Sequence, residues 1–199
     1  VGLQGWINSE PFILEEQRGN VVLIDFWTYT CINCIRTFPA LRSWHEKYAD
    51  HGLVILGVHA PEFEFEKIRE NVVQAALDND LGWPIALDNE HDTWRAFKNQ
   101  FWPAKYLIDK DGYIRYTHFG EGSYAETEEK IQELLAEAGA SMASIAVSDE
   151  FERYSDQQAR ASFDPYENQT RELYAGFNRN YNALAGGNTA PYVRHQEFY

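Results

Sequence analysis

Residues 21–39 read Val-Val-Leu-Ile-Asp-Phe-Trp-Thr-Tyr-Thr-Cys-Ile-Asn-Cys-Ile-Arg-Thr-Phe-Pro. The apolar run from Val21 to Ile24 has the character of a buried strand, and it ends at Trp27. A short polar turn leads to Cys31 and Cys34, and an amphipathic segment continues to Tyr48. The order is strand, Cys-x-x-Cys, helix. Two cysteines three apart at a helix start lie one above the other, within the separation that a disulfide can close. Cys31 falls at or just before the first turn. Free backbone N–H groups and the helix dipole favour a thiolate there. Cys34 lies one turn further in and is expected to be more buried. These places make Cys31 the attacking thiol and Cys34 the resolving one.

Composition bounds the rest. The 199 residues suffice for one domain of about 150 residues plus an extension, and a hydrophobic content of 44% can build a core. Asp and Glu outnumber Lys and Arg 31 to 17, for a net charge of −14. That speaks against a nucleic-acid partner, whose phosphates need basic side chains, and against an anionic membrane surface. No apolar run approaches the ~18 residues of a membrane span. The chain begins with Val1, which reads as a mature or excised soluble portion. Cys31 and Cys34 are the only cysteines, so no structural disulfide framework is expected. A zinc site needs about four ligands, and no second Cys or His pair stands at ligand spacing. Haem attachment needs a His after the second cysteine, where Ile35 stands. Redox chemistry without metal or organic cofactor is the reading that is left.

Asp25-Phe26-Trp27, the Cys31–Cys34 pair and Pro39, five residues after the second cysteine, together resemble the thioredoxin superfamily. A short strand at Trp6-Ile7-Asn8, the Gly19-Asn20 turn and a strand–helix–strand–helix insertion over 53–99 are similar to its secreted TlpA/ResA-like branch. Within that branch the chain is most similar to the thioredoxin-like domain of DipZ-type proteins, over about residues 1–140. The resemblance implies an α/β thioredoxin fold: a central mixed sheet of four or five strands flanked by helices, with β-α-β first and a β-hairpin last. It carries the TlpA-like insertion and a C-terminal extension.

The expected elements follow from pattern. Ser9-Glu10-Pro11 opens a helix. The motif helix kinks at Pro39 and turns Phe38, Leu41, Trp44 and Tyr48 to the sheet. Residues 53–58 form a buried strand. Residues 63–79 form one long helix with Phe65, Ile68, Val72, Val73, Ala76 and Leu77 on its apolar face. A strand at 83–88 and a helix at 92–99, capped by Asp92, complete the insertion. Strands at 105–108 and 113–118 meet through the 109–112 turn, and a helix over 124–138 ends at Gly139. Residues 1–140 make the domain. Residues 141–199 make a linker and a polar, aromatic-rich extension, read either as a packed tail or as the start of a truncated β-sandwich, to which residues 172–177 are weakly similar.

The resemblance also implies roles. Pro103 is the cis-proline beside the dithiol, where a substrate backbone pairs as an added strand would. Trp102 shapes which partners fit. Asp25 is a buried carboxyl beneath the site, its pKa raised by desolvation, which takes the proton of Cys34. Trp27 and Tyr29 frame the site. Thr37 stands where ResA-like members carry a Glu, which weakens a haem-maturation role, and Arg36 either adds positive potential or is solvated. The expected activity is reduction of disulfides in client proteins. The resemblance implies an extracytoplasmic location, periplasmic or at the cell surface, and a membrane thiol-electron donor of the CcdA/DsbD type. Oxidase or isomerase chemistry on the same fold is the alternative. The uncharged Ile32-Asn33 pair argues mildly against a strongly oxidising site. Peroxidase chemistry calls for a Pro-x-x-x-Thr-x-x-Cys pattern, and the proline is absent. A carbohydrate- or adhesion-type binding module with a vestigial redox domain is opposed by intact Cys31, Cys34, Asp25 and Pro103.

Overall fold

The computed structural model describes residues 3–151. The expectations for residues 152–199, the sandwich-like segment at 172–177 included, lie outside the described residues. In chain order the strands are β1 (Gly5–Ile7), β2 (Val21–Trp27), β3 (Leu53–His59), β4 (Ile85–Leu87), β5 (Ala104–Ile108) and β6 (Ile114–Phe119). The helices are α1 (Ile32–Tyr48), α2 (Arg69–Asp78), α3 (Asp92–Ala96) and α4 (Tyr124–Glu137). The strands form one sheet in the order β1-β4-β3-β2-β5-β6. The expected β-α-β unit and closing hairpin are present, and the count of four or five strands is corrected to six. The sixth arises because Gly5–Ile7 adds antiparallel to β4 as an edge strand.

All seven residues of β2 are buried because both faces of the sheet are covered. On one side Val21, Leu23 and Trp27 pack in a core with Phe38, Leu41 and Trp44 of α1 and Ile131 and Leu135 of α4. On the other, Val22, Ile24 and Phe26 pack with Leu56, Val58 and Tyr106, covered by Phe12, Trp94 and Phe97. A continuous β-branched and aromatic run suits a strand with no wet face. β2 runs parallel to β3 and antiparallel to β5, so its C-terminal end delivers the cysteine turn to the rim of the sheet. At Gly57 in β3 a Cβ would lie 3.0 Å from the Trp27 indole nitrogen and 3.2 Å from that of Trp83; glycine makes room for both rings.

Several local expectations are corrected. Pro11 opens no α-helix; a single 3₁₀ turn, Leu14–Gln17, follows instead, with the Glu16 carboxylate accepting from the Ile13 N–H at 3.1 Å. The long helix at 63–79 is two pieces, a 3₁₀ turn at Glu64–Lys67 and α2, separated by Ile68 in an extended conformation. The break follows from Glu66, whose buried side chain turns inward and accepts from the N–H groups of Glu62 and Phe63. Phe65, Ile68 and Leu77 are therefore exposed, while Val72 and Ala76 are buried. Asp92 does not cap α3. Asp88 does, accepting from the N–H groups of Thr93 at 3.0 Å and Trp94 at 2.8 Å.

The start of the extension is docked and is not a free linker. Met142, Ile145 and Phe151 pack on the first core. Gln132 donates to the Ile145 carbonyl at 2.9 Å. The buried Glu128 carboxylate accepts from Tyr48 (2.7 Å), Lys47 (2.8 Å) and the Ser148 N–H (3.0 Å). Among the described residues no helix is long and apolar enough to cross a membrane.

Candidate active site

The chain leaves β2, makes the turn 28–30 and enters α1 at Cys31, whose sulfur occupies the N-cap position and accepts from the Cys34 N–H at 3.2 Å. Both cysteines are free thiols; Cys31 is half-buried and Cys34 is fully buried. Their titrations are driven apart. The Cys34 thiol, with the N–H groups of Cys34 and Asn33, pulls the Cys31 thiol below its usual range, against burial and the charge of Glu62. Burial pushes the Cys34 thiol far up, and its contact with Cys31 adds to this. An accessible, acidic thiol over a buried, protonated one is the division of labour that the helix position suggests.

Beneath the pair lies Asp25, 1% exposed. Burial raises its carboxyl above the ordinary carboxylate range, and Lys105 pulls in the opposite direction. Lys105 stands directly across from Asp25 in the β2–β5 register, is itself buried, and sets its Nζ 3.3 Å from Asp25 Oδ1. Cys34 also feels the charge of Asp25. Lys105 is absent from the residues that the sequence singles out. Its signal there is the same as that of Asp25: a charged residue inside an otherwise apolar strand, here Ala-Lys-Tyr-Leu-Ile.

The Trp102–Pro103 peptide bond is cis, as the resemblance implies. Trp102 is half-buried, donates its indole N–H to the Ala60 carbonyl at 2.9 Å and packs 4.2 Å from the Trp94 ring. Tyr29 is half-buried, stacks on His59 with ring centroids 5.8 Å apart and donates its hydroxyl to the Phe65 carbonyl at 3.2 Å. Trp27 is corrected. It lies edge-on to Phe38 and His59 and is 1% exposed, so it offers no surface to a substrate. Thr37 is buried and donates to the Cys34 carbonyl at 2.8 Å. Arg36 pairs with Glu121 at 3.4 Å. Exposed apolar residues near the cysteine turn are Ile32, beside Cys31, and the stacked Phe63 and Phe65. Thr28, His59 and Glu66 form a buried polar cluster behind the turn. No group of three metal-ligating side chains comes together among the described residues.

Residues 4–117 match the AhpC/TSA family. Protein DipZ of Mycobacterium tuberculosis is 47% identical over 140 residues, which cover 69% of this chain and 20% of DipZ. The chain thus spans about a fifth of that relative. Thiol-disulfide oxidoreductase YkuV of Bacillus subtilis is 30% identical over 136 residues, covering 68% of this chain and 91% of YkuV. The solution structure of a thioredoxin-like protein in the oxidised form superposes with a TM-score of 0.62 at 30% identity, over 67% of this chain and 90% of that one.

Proposed function

The chain belongs to the AhpC/TSA family, in the TlpA/ResA-like branch of the thioredoxin superfamily, and from that premise we propose that it is a thiol–disulfide oxidoreductase that reduces disulfides in client proteins. One observation carries the reading: the Cys31 sulfur sits at the helix tip and accepts from the Cys34 N–H, beside a fully buried Cys34 that feels the charge of Asp25 in the Asp25–Lys105 pair.

The steps follow from that geometry. A client disulfide approaches beside Pro103. The Cys31 thiolate attacks one client sulfur; the client S–S bond breaks, and its other sulfur leaves as a thiolate. Asp25 takes the proton of Cys34. The Cys34 thiolate attacks the Cys31 sulfur, an intramolecular disulfide forms, and the client's second thiol departs. Two electrons pass to the client. The oxidised pair is reset by a dithiol donor, for which the resemblance supplies a membrane transporter of the CcdA/DsbD type at an extracytoplasmic site. Trp102 and Tyr29 flank the approach to Cys31, and Phe63 and Phe65 extend it as an apolar surface. Residues 1–140, with the docked segment to 151, are proposed to carry the activity, and the remainder to form an extension.

Peroxidase chemistry on this fold needs a proline seven residues before the reactive cysteine. Ile24, buried in β2, stands there. An insulin-reduction assay with dithiothreitol tests the proposal. The protein accelerates insulin precipitation beyond the reductant alone, and Cys34→Ser accumulates a mixed disulfide with the client that a gel resolves by mass. No acceleration by the wild type would overturn the reading.

A further inference from the structure

The three residues ahead of Cys31 are each bonded to the segment after β3. Thr28 is 1% exposed. Its carbonyl accepts from the Cys31 N–H at 3.3 Å, and its N–H reaches the Cys34 sulfur. Its hydroxyl lies 3.3 Å from His59 Nε2 and also bonds the Glu66 carboxylate. Tyr29 donates to the Phe65 carbonyl, and the Thr30 hydroxyl donates to Glu66. Glu66 is itself fully buried and accepts from the N–H groups of Glu62 at 2.6 Å and Phe63 at 2.9 Å.

The protons in this cluster have one consistent arrangement. A hydroxyl has a single proton. If Thr28 gives it to Glu66, a lone pair is left for His59 Nε2–H. His59 Nδ1 is buried with no hydrogen-bond partner, which suits the form that carries its proton on Nε2. Burial holds the imidazole neutral, its pKa down at about 4. Burial opposes the charge on Glu66 too, yet the donors from Thr30, Phe63, Thr28 and Glu62 outweigh it and hold the carboxyl below its ordinary value. A chain of donors thus runs from His59 through Thr28 to a carboxylate, and the backbone of the middle residue touches both cysteines.

We propose that Thr28 and Glu66 are positioning residues of the dithiol: Glu66, through the hydroxyls of Thr28 and Thr30, fixes the turn that sets the Cys31 sulfur at the helix tip. The proposal rests on the dithiol chemistry given above and deepens it. Neither residue touches a client. Their effect on Cys31 passes through the turn. The titratable groups that act on Cys31 directly are Cys34 on α1 and Glu62 after β3, with Asp25 and Lys105 beneath on β2 and β5; all are left unchanged in the test.

The test uses the full chain in its reduced form, with Thr28→Val, Thr28→Ser and Glu66→Gln. The readouts are the ultraviolet thiolate titration, the alkylation rate of Cys31 by iodoacetamide at neutral pH, and thermal melting. Val matches the shape of Thr without its hydroxyl, whereas Ser keeps the hydroxyl and loses a buried methyl. Thr28→Val and Glu66→Gln are expected to move the thiolate titration of Cys31 up by about half to one pKa unit, which slows alkylation by roughly three- to tenfold at pH values below the titration midpoint and by less above it. Thr28→Ser is expected to stay near wild type although it melts lower. The proposal is overturned if Ser is impaired as much as Val, or if both Thr28→Val and Glu66→Gln titrate as wild type. If Glu66→Gln fails to fold, the Thr28 pair still decides. Alkylation needs no client, so an inactive wild type in insulin reduction would overturn the functional reading without touching this result.

Discussion

Replacing Lys105 with Met removes the cation beside Asp25 and keeps an unbranched apolar stem in its place. The separation of 3.3 Å, at an effective dielectric of about 20, corresponds to roughly 5 kcal/mol of attraction between the two charges. Loss of that attraction raises the carboxyl's pKa further, in the direction in which burial already pushes it. Asp25 then ionises only at higher pH than in the wild type, so less of it is available to accept the proton of Cys34. General-base assistance is typically worth a factor of about 10² to 10⁴, so resolution of the mixed disulfide is expected to slow on the order of 10²-fold. The assay preforms a mixed disulfide between Cys31 and a small aromatic thiol whose release absorbs light, and follows Cys34 attack by stopped flow from pH 6 to 9. In Lys105→Met the rise of rate with pH moves to higher pH. In Asp25→Asn the slow rate no longer shows the carboxyl's titration. The double variant is no slower than Asp25→Asn alone, because both changes remove one interaction. A Lys105→Met enzyme that resolves at the wild-type rate across this range would refute the reasoning.

Two further predictions concern stability. His59 keeps its neutral form down to about pH 4 in the folded chain, against 6.5 for an ordinary imidazole. The unfolded chain therefore takes up a proton first as pH falls. The contribution, about 3 kcal/mol, is complete above pH 6.5 and is lost as pH drops towards 4. Urea titrations at pH 7.5 and 4.5 should show His59→Gln losing less stability on acidification than wild type, and equal losses would refute the assignment. Glu128→Ala strips the acceptor from Tyr48, Lys47 and the Ser148 N–H. A loss of about 2 to 3 kcal/mol is expected, together with faster proteolysis within residues 140–151; an unchanged cleavage rate there would show that Glu128 does not hold that segment.

The parts of the site that lie close together in the chain are legible in the sequence. The dithiol is written in Cys31–Cys34 and its helix in the residues that run on to Tyr48. Pro103 and Asp25 emerge through a resemblance, since neither reports its place by spacing alone. Lys105 escapes notice because its meaning is a register partner: only β2–β5 pairing puts it opposite Asp25. Glu66 falls in what reads as the polar face of a long helix. Its carboxylate instead turns inward to the Thr28–Thr30 turn, and that one reversal both breaks the helix and supplies the buried cluster. Trp27 misleads for the converse reason. Proximity to the cysteines in sequence suggests contact with substrate, whereas strand alternation and the α1 layer put its ring inside. Asp92 looks like a cap from composition, but the donors of the first turn point at Asp88.

The pairing of β2 with β5 also means that the site is complete only when strands far apart in the chain have come together. A nascent chain that has formed β2, α1 and β3 already displays both thiols, yet lacks the ammonium and the proline loop, which arrive only when the final hairpin docks. Until then Cys31 already has the helix-tip donors that acidify it, but the carboxyl beneath Cys34 lacks its ammonium partner. Competence to complete the exchange is thereby tied to completion of the sheet.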